Sequence, residues 1–429
     1  MASLAAAAAE VAAVASPTNQ LSTGQGQLNG EEPATLVIHH SACEGHQIPR
    51  HFECPARSHS IMKALSDNFP SMPRQLAPNI TREELSLFHT ERLIGKVFAR
   101  CAASEQSGNL VSLDVDTAIM PRSREAITRA AGAVAHATKE VAAGRCVNAF
   151  CCVRPPGHHA TPDVSMGFCF FNNVGVAAGM AHEQLGFERV AVVDFDVHHG
   201  NGTQAGLEKL PYAFFASTHV GYGFYPGTGE AHERGKFKNV INMPFLEGTG
   251  SGDFRAAYAD VILPALREFD PDIVFISAGF DAHEDDPLGE MELTADDFGW
   301  VTREICAVAA DVCNGRVVSA LEGGYNFEAI SKSAVAHVQA LRDAAAAQRG
   351  RAAAAAAAPA AAEEGVAGPA AVGEGPEAAA TDETAQPTLA DAAIAAAAVE
   401  TAAEVAELEE AIAKLEVTED AALTPTAQS

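Results

Sequence analysis

The stretch Arg189-Val190-Ala191-Val192-Val193-Asp194-Phe195-Asp196-Val197-His198-His199-Gly200-Asn201-Gly202 decides the reading of this chain. Its first half is a short, continuous apolar run, the pattern of a strand buried on both faces of a parallel sheet. Its second half turns polar and glycine-rich, so it emerges at the carboxyl end of that strand, where α/β proteins assemble their sites. Asp196 and His198 lie two residues apart, and in extended chain both side chains point the same way, as two ligands of one metal must. A buried carboxylate beside an imidazole is costly unless a cation compensates it. For an isolated Asp-x-His, a polar loop capping a strand is the plainer explanation, so the company it keeps must decide.

Outward from this stretch the same kind of run recurs: NAFCCV (148–153), YAFFAST (212–218), NVINM (239–243), DIVFIS (272–277) and RVVSAL (316–321). Helical patterns lie between them, at Ser123 to Ala142, Asp253 to Phe269, and after Thr294, with Asp297 three residues on as an N-terminal cap. Alternation of buried strands with helices predicts an α/β fold, a single three-layer α/β/α domain built on one parallel sheet. The domain is expected to span residues 34–348, after a flexible leader at 1–33. Beyond it the composition collapses into Ala, Glu, Pro and Gly, predicting a disordered linker at 349–388 and a disordered tail at 418–429. Between these, 389–417 reads as an amphipathic helix, because Val405, Leu408, Ile412 and Leu415 follow 3-4-3 spacing. It offers a surface for a partner protein, although a solvated Ala/Glu helix is the plainer reading.

The formal net charge of the 429 residues is −28, and it is uneven. From Asp343 to Ser429 there are sixteen acidic residues against Arg349, Arg351 and Lys414, a net of −13. A body this acidic repels a phosphate backbone, which excludes direct nucleic-acid binding and favours a basic peptide as partner. Nine scattered cysteines without a Cys-x-x-Cys pair indicate a reducing compartment rather than a disulfide framework. No run suits a membrane span. The opening has no Arg or Lys before Arg50, so it lacks the charged region of a secretory signal. The expected location is intracellular, in cytoplasm or nucleus, with chloroplast or mitochondrion left open by the Ala/Ser-rich start.

Three further segments carry chemistry, each after an apolar run. Ser277-Ala278-Gly279-Phe280-Asp281 places Asp281 as a third metal ligand, and three protein ligands leave a position for water or substrate, as in a catalytic zinc site. Alone, that aspartate would pass for a turn residue. Arg154-Pro155-Pro156-Gly157-His158-His159-Ala160 presents two adjacent imidazoles on a stiff backbone, suited to acid–base work near neutral pH, where a surface His-His pair is the bland alternative. Glu322-Gly323-Gly324-Tyr325-Asn326 presents a phenol at a strand end, able to donate to a developing oxyanion, though a lone Gly-Gly-Tyr is usually just a turn.

In this order the segments RPPGHHA, MGFCFFNN, VVDFDVHHGNGTQ, YPGTGE, PDIVFISAGFDAH and LEGGYN resemble the zinc-dependent histone deacetylases, over roughly residues 35 to 345. The RPP form and the HHGNG run look like the class II branch, and within it the sequence is similar to bacterial-type and plant organellar members. The resemblance implies the arginase/deacetylase fold, hydrolysis of the acetyl amide of N-acetyl-lysine in proteins, and one Zn2+ per chain held by Asp196, His198 and Asp281. It implies that His158 and His159 act on the attacking water and the leaving amine, and that Tyr325 steadies the oxyanion. Asp194 would orient His158 and, with Ser217, form a structural K+ site. Gly167, Phe168 and Tyr225 would line a tunnel for the acyl-lysine stem, with Asp116 or Thr117 at its rim. Asn201 stands where class I relatives have an aspartate, so His159 should be held less strongly toward its charged form. Leu288 occupies the position at which polyamine-specific relatives carry a glutamate, which favours a peptide lysine.

Three other readings compete. An acetylpolyamine or other small-molecule amide hydrolase shares the fold, and Leu288 argues against only the polyamine. An arginase-like ureohydrolase is suggested by Asp281-Ala282-His283-Glu284-Asp285, but such enzymes need two manganese ions and lack the RPPGHH and EGGY elements. A catalytically inactive acetyl-lysine-binding scaffold is the third, and the intact set of ligands, histidines and tyrosine speaks against it.

Overall fold

A computed structural model of the chain describes residues 34–221 and 223–357. The leader at 1–33, the 389–417 segment and the tail at 418–429 lie outside the described residues. Eight strands form one sheet: β1 (Thr35–His39), β2 (Arg74–Leu76), β5 (Asn148–Cys151), β6 (Val190–Asp194), β7 (Ala213–Val220), β8 (Val240–Phe245), β9 (Ile273–Ala278) and β10 (Val317–Leu321). Their order across the sheet is β2-β1-β5-β10-β9-β6-β7-β8, and every pairing is parallel. Every residue of β5, β6, β7, β9 and β10 is buried, as continuous apolar runs demand when helices cover both faces. The covering helices include α1 (Pro55–Asn68), α3 (Glu91–Ser107), α4 (Ser123–Ala142), α5 (Asn173–Glu183), α9 (Ala295–Val312) and α10 (Phe327–Ala357); the short α2 (Arg82–Leu85), α6 (Asn201–Leu207), α7 (Ser251–Ala257) and α8 (Leu263–Phe269) complete the set. This is the three-layer α/β/α architecture expected from the sequence.

Local chemistry explains the details. The main-chain N–H and the hydroxyl of Thr294 both donate to the Asp297 carboxylate, at 2.9 and 3.0 Å, and start α9. The helix expected over 253–269 is interrupted by a π turn at Tyr258–Ile262, directly before Pro264, which has no N–H to continue the α ladder. The last helix passes the boundary drawn at residue 348 and continues to Ala357, because a run of the best helix former propagates from a helix already anchored on the body. Two strands were not singled out in the sequence: β2 is three residues long, and β1, with its short run Leu36-Val37-Ile38, joins it to β5. A small antiparallel pair, β3 (Val111–Ser112) with β4 (Ala118–Ile119), holds out the turn that carries Asp116.

The interior is centred on Val192, Phe215, Phe275, Val318 and their neighbours from the helices. Replacing Phe275 by Ala should therefore cost about 3–5 kcal/mol of stability, read as a shift of the denaturation midpoint. A loss below about 1 kcal/mol would show that this strand does not form the packed centre.

Candidate active site

The parallel order β5-β10-β9-β6-β7 brings five carboxyl ends side by side; β5, β10, β9 and β6 each lead into one of the chemistry-bearing segments, and β7 leads into the turn that carries Tyr225. Asp194 is in register with Ser277 on one side and Ser217 on the other. Two residues beyond Asp194, the Asp196 side chain meets those of His198 and Asp281, with one ligand-type atom from each within 4.8 Å of the others. The two carboxylates are wholly buried. His198 Nδ1 lies 3.0 Å from Asp196 Oδ1 and 3.2 Å from Asp281 Oδ2, although a single N–H cannot serve both well. A Cβ at Gly323 would fall 1.9 Å from Asp281 Oδ2 and 2.6 Å from Asp196 Oδ2, so glycine keeps this space clear. One imidazole nitrogen and two carboxylate oxygens around an open space fit Zn2+.

Electrostatics agree with that fit. Burial pushes the Asp281 carboxyl up, and the neighbouring Asp196 charge pushes it further. Asp196 is held low against burial by His158 and His198. Burial alone would depress His198, yet hydrogen bonds to Asp196 and Asp281 raise it to about 10. A divalent cation would replace that proton as the partner of both carboxylates.

The histidine pair stands beside this cluster, with ring centroids 4.0 Å apart and both rings buried. His158 Nδ1 is 3.0 Å from Asp194 Oδ2, and its Nε2 is 3.8 Å from Asp196 Oδ2. Burial disfavours a charged ring there, but Asp196 and Asp194 outweigh it and hold His158 up at about 10. His159 is the opposite case. Burial lowers it well below the ordinary range, and the charges of His158 and His198 lower it further. Its Nδ1 is 2.8 Å from Asn201 Oδ1, so the Nδ1–H tautomer leaves Nε2 with a free lone pair. Tyr325 is buried, and that burial keeps its phenol protonated far above neutral pH.

Aromatic rings gather beside the histidines and Tyr325. Tyr225 lies 5.1 Å from the His159 ring and Phe168 6.2 Å from Tyr325, while Phe224, which the sequence did not single out, stacks on His198 at 5.1 Å. Phe168 sits in the left-handed region at φ 64°, an unfavourable place for a bulky residue. Its neighbour Gly167 is required there, since a Cβ would lie 2.4 Å from the His159 ring. Asp116 Oδ1 accepts from Gly167 N at 3.1 Å and from Thr117 Oγ1 at 2.8 Å, and Thr117 Oγ1 accepts from Phe168 N at 3.1 Å. Asp116 and Thr117 thus hold the Gly167–Phe168 turn of their own chain. Leu288 is half-buried, and its N–H donates to Asp286 Oδ1 at 3.0 Å. The other oxygen of Asp286 accepts from Tyr325 N at 2.6 Å and Asn326 N at 3.2 Å. Ser217 Oγ is 2.9 Å from His219 Nδ1. His283 Nδ1 accepts from Asp285 N at 3.1 Å, and the main chain of His283 bridges to Leu293.

Behind the site lies a set of buried charges that sequence reasoning missed. Glu53 bonds Arg57 Nη1 at 3.1 Å and clasps Arg154 through Nε at 2.6 Å and Nη2 at 2.5 Å, with all three side chains wholly buried. Although burial opposes its charge, Arg154 and then Arg57 hold the Glu53 carboxyl down at about 2 against an ordinary 4.5. A depressed carboxyl binds fewer protons folded than unfolded. Its stabilisation is complete above pH 4.5 and is lost as pH falls through about 2. Glu53→Gln should flatten that acid limb and, by leaving two buried guanidinium groups without their anion, cost about 3–5 kcal/mol at neutral pH. Stability curves measured from pH 7 to pH 2 would disprove this if the variant kept the wild-type slope. At the metal cluster, His198→Ala should weaken zinc binding by more than the roughly 10–100-fold that loss of an outer-sphere partner costs. Undiminished zinc per chain by elemental analysis would remove His198 from the ligand set.

Comparison with known proteins identifies the family. The histone deacetylase domain profile matches residues 51–341. "Histone deacetylase 14, chloroplastic" of Arabidopsis thaliana is 36% identical over 328 residues, covering 72% of this chain and 77% of its own length. "Histone deacetylase 10, chloroplastic" of Oryza sativa subsp. japonica is 48% identical over 187 residues, 43% of this chain. The chain spans only 42% of that rice protein, and 21% of "Type-2 histone deacetylase 2" of Dictyostelium discoideum, which is 34% identical over 352 residues. The crystal structure of the HDA15 HD domain superposes with a TM-score of 0.68 at 34% identity, over 74% of this chain and 92% of that one. The chain belongs to the histone deacetylase family.

Proposed function

We propose that this chain is a zinc-dependent deacetylase that hydrolyses the acetyl amide of N-acetyl-lysine in proteins. The observation that carries the reading is the convergence, beside the rings of Phe168, Phe224 and Tyr225, of one neutral imidazole, one charged imidazole and a protonated phenol around the Asp196–His198–Asp281 cluster. Bound there, Zn2+ would polarise the acyl carbonyl and ease deprotonation of water. His159 Nε2 takes the proton of the attacking water, because Nδ1 is committed to Asn201 and the ring is held neutral. His158 stays charged between Asp194 and Asp196 and opposes the negative charge that develops. Tyr325 donates its O–H to the carbonyl oxygen as that oxygen gains charge. His159 then returns its proton to the departing amine.

The aromatic rings of Phe168 and Tyr225 suit the aliphatic stem of a lysine, and Leu288 offers no charge for a second cationic nitrogen. The Asn201 partner of His159 supports placement in the class II branch, and a K+ beside Asp194 and Ser217 belongs to the same reading. No helix among the described residues is long and apolar enough to cross a membrane. Two relatives named chloroplastic, together with the Ala/Ser-rich opening, make a plastid the compartment to test first, with a fluorescent fusion of the full chain.

Acetate release from an acetyl-lysine peptide and from acetylspermidine distinguishes the substrates. The peptide should be the better one, and Tyr325→Phe should lower its kcat by roughly 10²–10³-fold, the usual effect of removing one oxyanion donor. Turnover confined to acetylspermidine would move the assignment to a small-molecule amide hydrolase. Full activity in the phenylalanine variant would refute the role given to Tyr325.

A further inference from the structure

One wholly buried carboxylate beside the site has no part in binding metal or moving a proton. Glu322 is the first residue after β10 and is 0% exposed. Its Oε2 accepts from Gly157 N at 2.6 Å and from His158 N at 3.1 Å. Two successive main-chain N–H groups aimed at one point form a concave donor site for a single oxygen. They are also the first groups in this turn able to serve as anchors, because Pro155 and Pro156 have no N–H to give. Oε1, the other oxygen of Glu322, has no hydrogen-bond partner among the described residues, so the carboxylate acts through one atom.

The Glu322 backbone is fixed in turn. Its N–H donates to Ala278 O at 3.0 Å, at the end of the strand that leads to Asp281. Its carbonyl accepts from Arg57 Nη2, while Arg57 Nε donates to Gly324 O at 2.5 Å. The same guanidinium lies 4.7 Å from the centroid of the Tyr325 ring. Through Glu53 it is joined to Arg154, which opens the histidine segment. The turn that carries the histidine pair and the turn that carries the phenol are therefore tied at two points, one through Glu322 and one through Arg57, Glu53 and Arg154.

We propose that Glu322 is a positioning residue for catalysis: it fixes the His158–His159 turn against the Tyr325 turn, so that base and oxyanion donor face one reacting carbon. This rests on the deacetylase reading given above. A glutamine can present its amide oxygen to the same two N–H groups, whereas a methionine of similar length cannot. Burial holds the Glu322 carboxyl up at about 7, so a neutral side chain is no great departure at this position.

The test compares the full chain with Glu322→Gln and Glu322→Met on an acetyl-lysine peptide, with zinc content and melting temperature as controls. Glu322→Met should lose roughly 10–100-fold in kcat with KM within about threefold and zinc retained, and Glu322→Gln should keep kcat within about threefold. A purely structural role would lower the melting temperature without this split and without rescue by glutamine. Wild-type kcat in Glu322→Met would overturn the proposal. Should that variant fail to fold, amide hydrogen exchange at Gly157 and His158 decides the matter. Slow exchange in wild type and in Glu322→Gln supports the anchor, and fast exchange in wild type overturns it. If the wild type released no acetate from any acyl amine, the deacetylase reading would fall, and exchange at the two amides would still judge the anchor by itself.

Discussion

Asp196 and Asp281 repel one another, and the pairing of β6 with β9 leaves them no way apart. Both carboxylates are out of water, where an uncompensated pair of like charges costs several kcal/mol. The surroundings are arranged to offset this. Gly323 N donates to Asp196 Oδ2 at 2.7 Å, Val197 N to Asp281 Oδ1 at 2.9 Å, and His198 Nδ1 approaches both. What these neutral donors leave over is a demand for positive charge at one point, met by a proton on His198 or by a dication. The glycines nearby follow from the same constraint, since any side chain would occupy the point where that charge belongs.

A second tier of charge, equally buried, turns separate strand ends into one rigid face. Arg57 comes from α1, Arg154 follows β5, and both are neutralised by Glu53. Buried ion networks of this sort add little net stability over a well-packed apolar core, but they are specific in geometry, because every oxygen and N–H must find its counterpart. The fold uses that specificity where it matters, under two turns whose side chains must face each other within a fraction of an ångström. Asp286 applies the same device on the other flank and joins the Leu288 loop to the Tyr325 turn.

How legible this was depends on the range of the interactions. Buried parallel strands announce themselves by continuous apolar runs, and their carboxyl ends by the glycine- and histidine-bearing segments that follow. Asp196, His198, Asp281, His158, His159 and Tyr325 were therefore all nameable from sequence, and the structure gathers them around one point. Glu53 and Arg57 were not. Their partners lie 101 residues away at Arg154 and more than 260 away at Gly324, and nothing local distinguishes them from an ordinary polar pair at a helix start. Asp286 hid inside an acidic run, where its burial depends wholly on the turn that folds over it. The contacts of Asp116 with Gly167 and Tyr225 likewise come into view only once β3 and β4 fold back. The π turn before Pro264 broke a helix whose periodicity had looked continuous.

The place of β1 in the sheet bears on where the functional unit begins. The family profile match starts at residue 51, yet β1 (Thr35–His39) lies between β2 and β5 as an interior strand. The Cys43 carbonyl, which follows it, accepts from Arg154 Nη1 at 2.5 Å. A polypeptide trimmed to residues 51–341 would unzip the sheet along that line. It would take from β2 the one strand it pairs with among the described residues, expose the flank of β5, and remove one of the carbonyls that seat Arg154. The stretch before the profile match is thus part of the scaffold of the same body, held there by the hydrogen bonds of β1 and the Cys43 carbonyl.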